Sequence, residues 1–297
     1  MKITRSFIVG AVLAALLFVS SVAFAVAPSK TKHIPVILET DMGNDIDDAL
    51  AVALMFKAQD EGLLKVLAIG NHKKSDTATD FIDILSTFYG YPLTPIAKSS
   101  TPVVNNNARD YTAAVCRMKD SSGAPLYKRS KKPSDILEPV SLFRKVLAKA
   151  PDHSVVVISL GFGTDLAALL ESGPDKYSKL GGKELIARKV KFLSIMAGSY
   201  GPKIIPEFNV VNDILAMKKV FEQWPAPIVQ NPFELGPRLR YPASVIESGF
   251  TWTDHHPVVD AYKDYRKMPY DRQTWDLLSV VYLLHPELFE ESLKGNI

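Results

Sequence analysis

The chain has 297 residues, 47% of them hydrophobic and 23% charged, with 35 lysines and arginines against 32 acidic residues and one cysteine. This composition excludes a disordered, collagenous or coiled-coil chain, and the near-balanced charge of +3 excludes a dedicated binder of nucleic acid or acidic membrane. The length suits one large α/β domain, lone Cys116 excludes an intramolecular disulfide, and the expected partner is a small molecule.

Lys2 and Arg5 precede the apolar run Phe7 to Val19, which is followed by Ala23-Phe24-Ala25. That order is a charged n-region, an h-region and a small-residue cleavage site, the pattern of a signal peptide. The run is shorter than the roughly 20 residues a spanning helix needs. Cleavage is expected after Ala25, or after Ala27 if Ala25-Val26-Ala27 is read instead, giving a signal peptide over 1–25 and one α/β domain over 26–297. Removing Lys2 and Arg5 lowers the net charge to +1. The expected location is secreted or periplasmic, with no membrane partner after cleavage.

Short apolar runs then recur: Val36 to Leu38, Val66 to Ile69, Val155 to Ile158, Phe192 to Met196 and Pro227 to Val229. Continuous runs, unlike alternating ones, predict strands covered on both faces. Helical stretches fall between them, at Asp47–Lys57, Thr77–Phe88, Leu142–Lys149, Leu166–Glu171 and Ile214–Gln223. The rhythm predicts an open, mostly parallel sheet with helices on both faces, Rossmann-like in type. The polar stretch from Ala97 to Pro139, with Lys128, Arg129, Lys131 and Lys132, reads as a solvated loop or a lid. Ligands of such sheets bind outside the carboxyl ends of the strands, which directs attention to the residues after each run.

After the first strand comes Glu39-Thr40-Asp41-Met42-Gly43-Asn44-Asp45-Ile46-Asp47-Asp48, five carboxylates in ten residues. Like charges this close raise one another's pKa values, and a helix dipole offsets only about 0.3 to 1 kcal/mol per charge. Asp45 or Asp47 could serve as a helix cap, but one cap does not account for five acids. All the donors are oxygens, which suits calcium or magnesium better than zinc. An aspartate-nucleophile phosphatase fits poorly, because Glu39 would stand at the nucleophile and Asp45 where a hydroxyl residue belongs.

Asp41, Gly43, Asp47 and Asp48, running into Ala49-Leu50-Ala51, resemble the opening signature of the inosine-uridine-preferring nucleoside hydrolases, calcium-dependent N-ribohydrolases on an open α/β sheet. Glu39 replaces the first acid, and two extra residues leave open whether Asp45 or Asp47 binds the sugar. Gly70-Asn71, Leu160-Gly161-Phe162-Gly163-Thr164-Asp165-Leu166, Pro206-Glu207-Phe208-Asn209-Val210, Asn231-Pro232-Phe233-Glu234 and Trp275-Asp276 follow in the family's order. The resemblance implies Ca2+ held by Asp41, Asp48, the Leu160 carbonyl and Asp276. It also implies Asp41 as general base, and sugar contacts from Asp47, Asn71, Glu207 and Asn209.

Some members place a proton-donating histidine where this chain has Trp275, whose indole can stack but cannot deliver a proton. His72 and the pair His255-His256 are alternatives, the pair reading better as a structural turn, and Tyr200, Tyr262, Tyr265 and Arg272 could contact the base. The expected activity is hydrolysis of the N-glycosidic bond of a ribonucleoside. The alternatives are a calcium-dependent riboside-binding protein without efficient turnover and a hydrolase of a non-nucleoside riboside. The family commonly forms homodimers or homotetramers.

Overall fold

The computed structural model describes residues 33–103, 110–203 and 205–292; the leader and its cleavage position lie outside them. The β-branched runs form six parallel strands: β1 (Ile34–Thr40), β2 (Leu64–Lys73), β3 (Ile96–Val103), β4 (Val155–Ser159), β5 (Val190–Met196) and β6 (Ile228–Asn231), ordered β3-β2-β1-β4-β5-β6. Alternate residues feed opposite faces. Val36, Leu38, Val156 and Ile158 join one apolar core, while Ile37, Val155 and Val157 join the other. Two buried faces explain why these strands read as unbroken apolar runs, each large side chain contributing about 1.5–3 kcal/mol.

The first core is closed by α1 (Asp47–Asp60), α2 (Ala78–Phe88), α10 (Pro257–Tyr265) and α11 (Trp275–Leu284), whose Phe56, Phe81, Tyr262 and Val280 are fully buried. The second is closed by α4 (Pro139–Lys149), α5 (Thr164–Glu171), α6 (Gly182–Lys189) and α8 (Ile214–Gln223), through Phe143, Leu166, Ile186 and Val220. The shorter helices are α3 (Tyr111–Arg117), α7 (Phe208–Asn212) and α9 (Ala243–Ser248), and a small antiparallel pair joins β7 (Arg240–Tyr241) to β8 (Arg272–Gln273). Among the described residues, no helix is long and apolar enough to cross a membrane.

The stretch from Ala97 to Pro139 departs from the loop or lid expected of it. Its start is the edge strand β3, and its middle carries α3, whose Tyr111 is fully buried. The Lys98-Ser99-Ser100-Thr101 sequence hides the strand because an edge position tolerates polar side chains. Tyr111 Oη donates to the Asp45 carbonyl at 2.8 Å and accepts the Gly43 amide at 3.2 Å, so this segment buttresses the acidic loop from behind. Arg129 pairs with Asp80 and Lys131 bonds the Pro92 carbonyl.

Candidate active site

In a doubly wound sheet the strand order reverses between β1 and β4, and the crevice at their carboxyl ends is the binding position. Asp41 follows β1 directly and Leu160 follows β4 directly, with the Leu160 amide donating to the Glu39 carbonyl at 2.9 Å. A cavity of about 470 Å³ opens there, within the range of small-molecule sites. Asp41, Asp47, Asp48, Leu160, Glu207, Asn209, Trp275 and Asp276 all line it. Sequence positions more than two hundred residues apart therefore meet on one wall.

The turn between β1 and α1 relies on Gly43 at φ 102°, a conformation that L side chains rarely adopt. It carries Asp41 to the cavity, where Asn44 Nδ2 donates to Asp41 Oδ2. Thr40 Oγ1 donates to Asp48 Oδ1, and the Asp276 amide donates to Asp47 Oδ2 at 2.9 Å. Asp47 Oδ1 and Asp48 Oδ2 are buried and have no hydrogen-bond partner among the described residues. The capping alternative fails: α1 is preceded by Ile46 and no side chain caps it.

Electrostatics point the same way. Burial, then the mutual repulsion of neighbouring carboxylates, pushes Asp47, Asp48 and Asp276 well above the usual carboxylate range. Burial lifts Asp41 to about 6, with His72, Asn44 and Lys73 restraining the rise. Four buried carboxylates, two of them with an unpartnered oxygen, form a donor set that a hard divalent cation would complete. Asp41, Asp48, Asp276 and the Leu160 carbonyl could hold it.

Asp45 has a different fate. Arg272, presented by β8, forks onto it, with Nε 2.8 Å from Oδ1 and Nη2 on Oδ2. The guanidinium also lies 5.3 Å from the Trp275 ring and 5.4 Å from the Tyr265 ring. With Asp45 taken up by Arg272, Asp47 is the carboxylate that keeps a free oxygen at the cavity.

Opposite the acids, Glu207 caps α7, accepting the Asn209 amide at 2.9 Å and the Val210 amide at 3.1 Å, and also takes the Gly198 amide at 3.0 Å. Asn209 Nδ2 donates to the Leu160 carbonyl at 2.9 Å and the Met196 carbonyl at 3.0 Å, which leaves its Oδ1 for a ligand. Trp275 stacks on Phe233 at 5.5 Å, and its Nε1–H donates to the Phe233 carbonyl at 2.9 Å.

The structure does not bring Asn71 to the wall. It is fully buried with Nδ2 on the Lys73 carbonyl at 3.2 Å, and its Oδ1 has no partner among the described residues. Of the aromatic and basic candidates, Tyr265 and Arg272 line the cavity. Tyr200 is exposed and bonds Gln230, Tyr262 is buried against Tyr270, and His256 sits among Phe88, Phe250 and Trp252, where burial lowers its pKa to about 4. His255 is exposed. Asn44, Met196, Phe208 and Phe233 were missed as wall residues. Phe208 and Phe233 stand inside recognised segments and Asn44 inside the acidic run, so position was a signal that residue type did not give.

His72 lies behind Asp41, fully buried. Burial disfavours its imidazolium, whereas the carboxylates of Glu39, Asp165 and Asp41 favour it. The Phe162 amide nonetheless points at Nε2 from 2.9 Å, so in this geometry Nε2 accepts and only Nδ1, against Glu39 Oε1, holds a proton.

The family model described as inosine-uridine preferring nucleoside hydrolase matches residues 36–297. The chain is 29% identical over 266 residues to a non-specific ribonucleoside hydrolase RihC of Shigella boydii serotype 4, covering 86% of this chain and 81% of the relative. It is 28% identical over the same length, with the same coverage, to the enzyme of that name from Escherichia coli O127:H6. Among solved structures, an inosine-guanosine nucleoside hydrolase superposes with TM-score 0.65 at 20% identity, covering 86% of this chain and 80% of that one. An inosine-uridine preferring nucleoside hydrolase from Bacillus anthracis gives 0.60 at 16% identity, with 86% and 82% covered. With the sheet order, the wall at its switch point and a family match running from β1 to the chain's end, this protein belongs to the inosine-uridine preferring nucleoside hydrolases, glycosidases that act on N-glycosyl bonds.

Proposed function

We propose that this chain is an exported, calcium-dependent hydrolase of ribonucleosides. The observation that carries the reading is the convergence of Asp41, Asp47, Asp48 and Asp276 on one cavity with Asp47 Oδ1 and Asp48 Oδ2 buried and unpartnered. A bound calcium ion would supply the positive charge that polarises an attacking water and the vicinal sugar hydroxyls. Asp41, a ligand beside that water, stands where it can take the water's proton. Asp47 Oδ1, Glu207 and Asn209 Oδ1 hold the sugar hydroxyls. Contacts that tighten as the ring flattens toward an oxocarbenium-like state accelerate cleavage. The Trp275 face, stacked on Phe233, offers a flat apolar surface for the base.

Purified mature protein is to be tested for reducing-sugar release from purine and pyrimidine nucleosides in calcium, with Asp41→Asn as control. Release by wild type and not by the variant is the expected result. One observation favours a second reading, a riboside-binding protein: the Trp275 N–H is committed to a carbonyl, so no proton reaches the leaving group from that position. Silence across the panel, with a riboside still raising thermal stability in calcium, would select it. The charged leader ending at Ala25 supports export, and an intact mass that begins at residue 26 or 28 is the test.

A further inference from the structure

Glu39, His72 and Asp165 offer one ligand atom each, all buried and within 4.8 Å of one another, which invites a second metal site. The direction of one hydrogen bond argues otherwise. A neutral imidazole coordinating through Nδ1 keeps its proton on Nε2, and here that atom faces the Phe162 N–H at 2.9 Å. Donor would meet donor. The same contact is satisfied when the proton is on Nδ1, directed at Glu39, and the Nε2 lone pair receives the amide.

We propose that His72 is a positioning residue for the loop that follows β4, fixing the Leu160 carbonyl against the acidic cavity; the inference rests on the cation assignment made above. The Leu160–Gly161 peptide is bracketed by two anchored amides, Leu160 N–H on the Glu39 carbonyl at 2.9 Å and Phe162 N–H on His72 Nε2 at 2.9 Å. Glu39 ties the bracket together, since its Oε2 accepts Ser159 Oγ at 2.6 Å while Oε1 meets the His72 ring. Packing makes the coupling tight. A Cβ on Gly161 would fall 2.7 Å from His72 Cε1 and 2.9 Å from Asp41 Cβ, so the ring and Asp41 both close on the loop at Gly161. From the cavity side Asn209 holds the same carbonyl oxygen, leaving its second lone pair for a cation.

Two measurements test this. Spectra of 15N-histidine-labelled wild type should show His72 protonated at Nδ1 and bare at Nε2, the reverse of the tautomer that dominates in free histidine; a proton on Nε2 overturns the proposal. Calcium titration by calorimetry then compares His72→Gln, whose amide oxygen can reach the Nε2 position, with His72→Asn and His72→Phe, which leave the Phe162 amide unpaired. Gln should hold the calcium Kd within about threefold of wild type, whereas Asn and Phe should weaken it about 10- to 100-fold. Equal Kd values for Gln, Asn, Phe and wild type overturn the positioning role. Wild type that binds no calcium overturns the cation assignment itself, and this inference with it, whatever the tautomer.

Discussion

Replacing Asp41 by asparagine should stabilise the metal-free fold, and by more as the pH rises. Asp41 is 3% exposed, and burial raises its pKa from 3.8 to about 6, so the folded chain holds this proton more tightly than the unfolded one. Below the unfolded pKa both states are protonated and burial costs nothing. As pH rises the unfolded state ionises first and gains relative stability, and the cost is complete once pH passes the folded pKa. At 1.36 kcal/mol per pKa unit the cost is about 1 kcal/mol near pH 4.5 and about 3 kcal/mol near pH 7.5. Asparagine is neutral in both states and escapes it. Urea unfolding of wild type and Asp41→Asn in chelator, at both pH values, should show the variant's advantage growing by about 2 kcal/mol between them. The altered contact with Asn44 shifts both points equally, so the slope is the test. An advantage independent of pH would refute the claim that a buried, cation-seeking carboxylate stands at this position.

Gly161→Ala would drive a methyl group between the His72 ring and Asp41, costing about 1–3 kcal/mol by overpacking and weakening calcium binding; denaturant midpoints and a calcium titration check both. Arg272→Ala strands the Asp45 carboxylate that the guanidinium now holds and should cost about 1–3 kcal/mol, with adding Asp45→Asn recovering part of the loss; unchanged stability in the single variant would contradict the pairing. Thr40→Val removes the hydroxyl that donates to Asp48 and should cost about 1–3 kcal/mol in chelator, less in saturating calcium, as read from thermal melts. Trp275→Phe keeps the stacking face but frees the Phe233 carbonyl, so steady-state kinetics should show a raised KM with kcat within about threefold.

What could be read from the sequence follows from where each residue's signal is local. Val155 to Ile158 is apolar because both of its faces are covered, and that alone predicts a central strand. β3 gave no such signal, since an edge strand needs only one buried flank and its Lys98-Ser99-Ser100-Thr101 stretch reads like loop. The same distinction divides the site. Asp41, Asp48 and Asp276 are legible because carboxylates beside strand ends have no cheap structural use. The difference between Asp45 and Asp47 is not, because Asp45 is paired by Arg272, more than two hundred residues away and delivered by a two-residue strand. Asn71 shows the limit from the other direction: a motif residue in its expected place at the end of β2, turned to the Lys73 carbonyl and away from the cavity wall, while Asn44 from the acidic turn reaches Asp41. Behind Asp41 the support is likewise built across the chain, with His72 of β2 taking the Phe162 amide on one ring nitrogen and meeting Glu39 of β1 with the other.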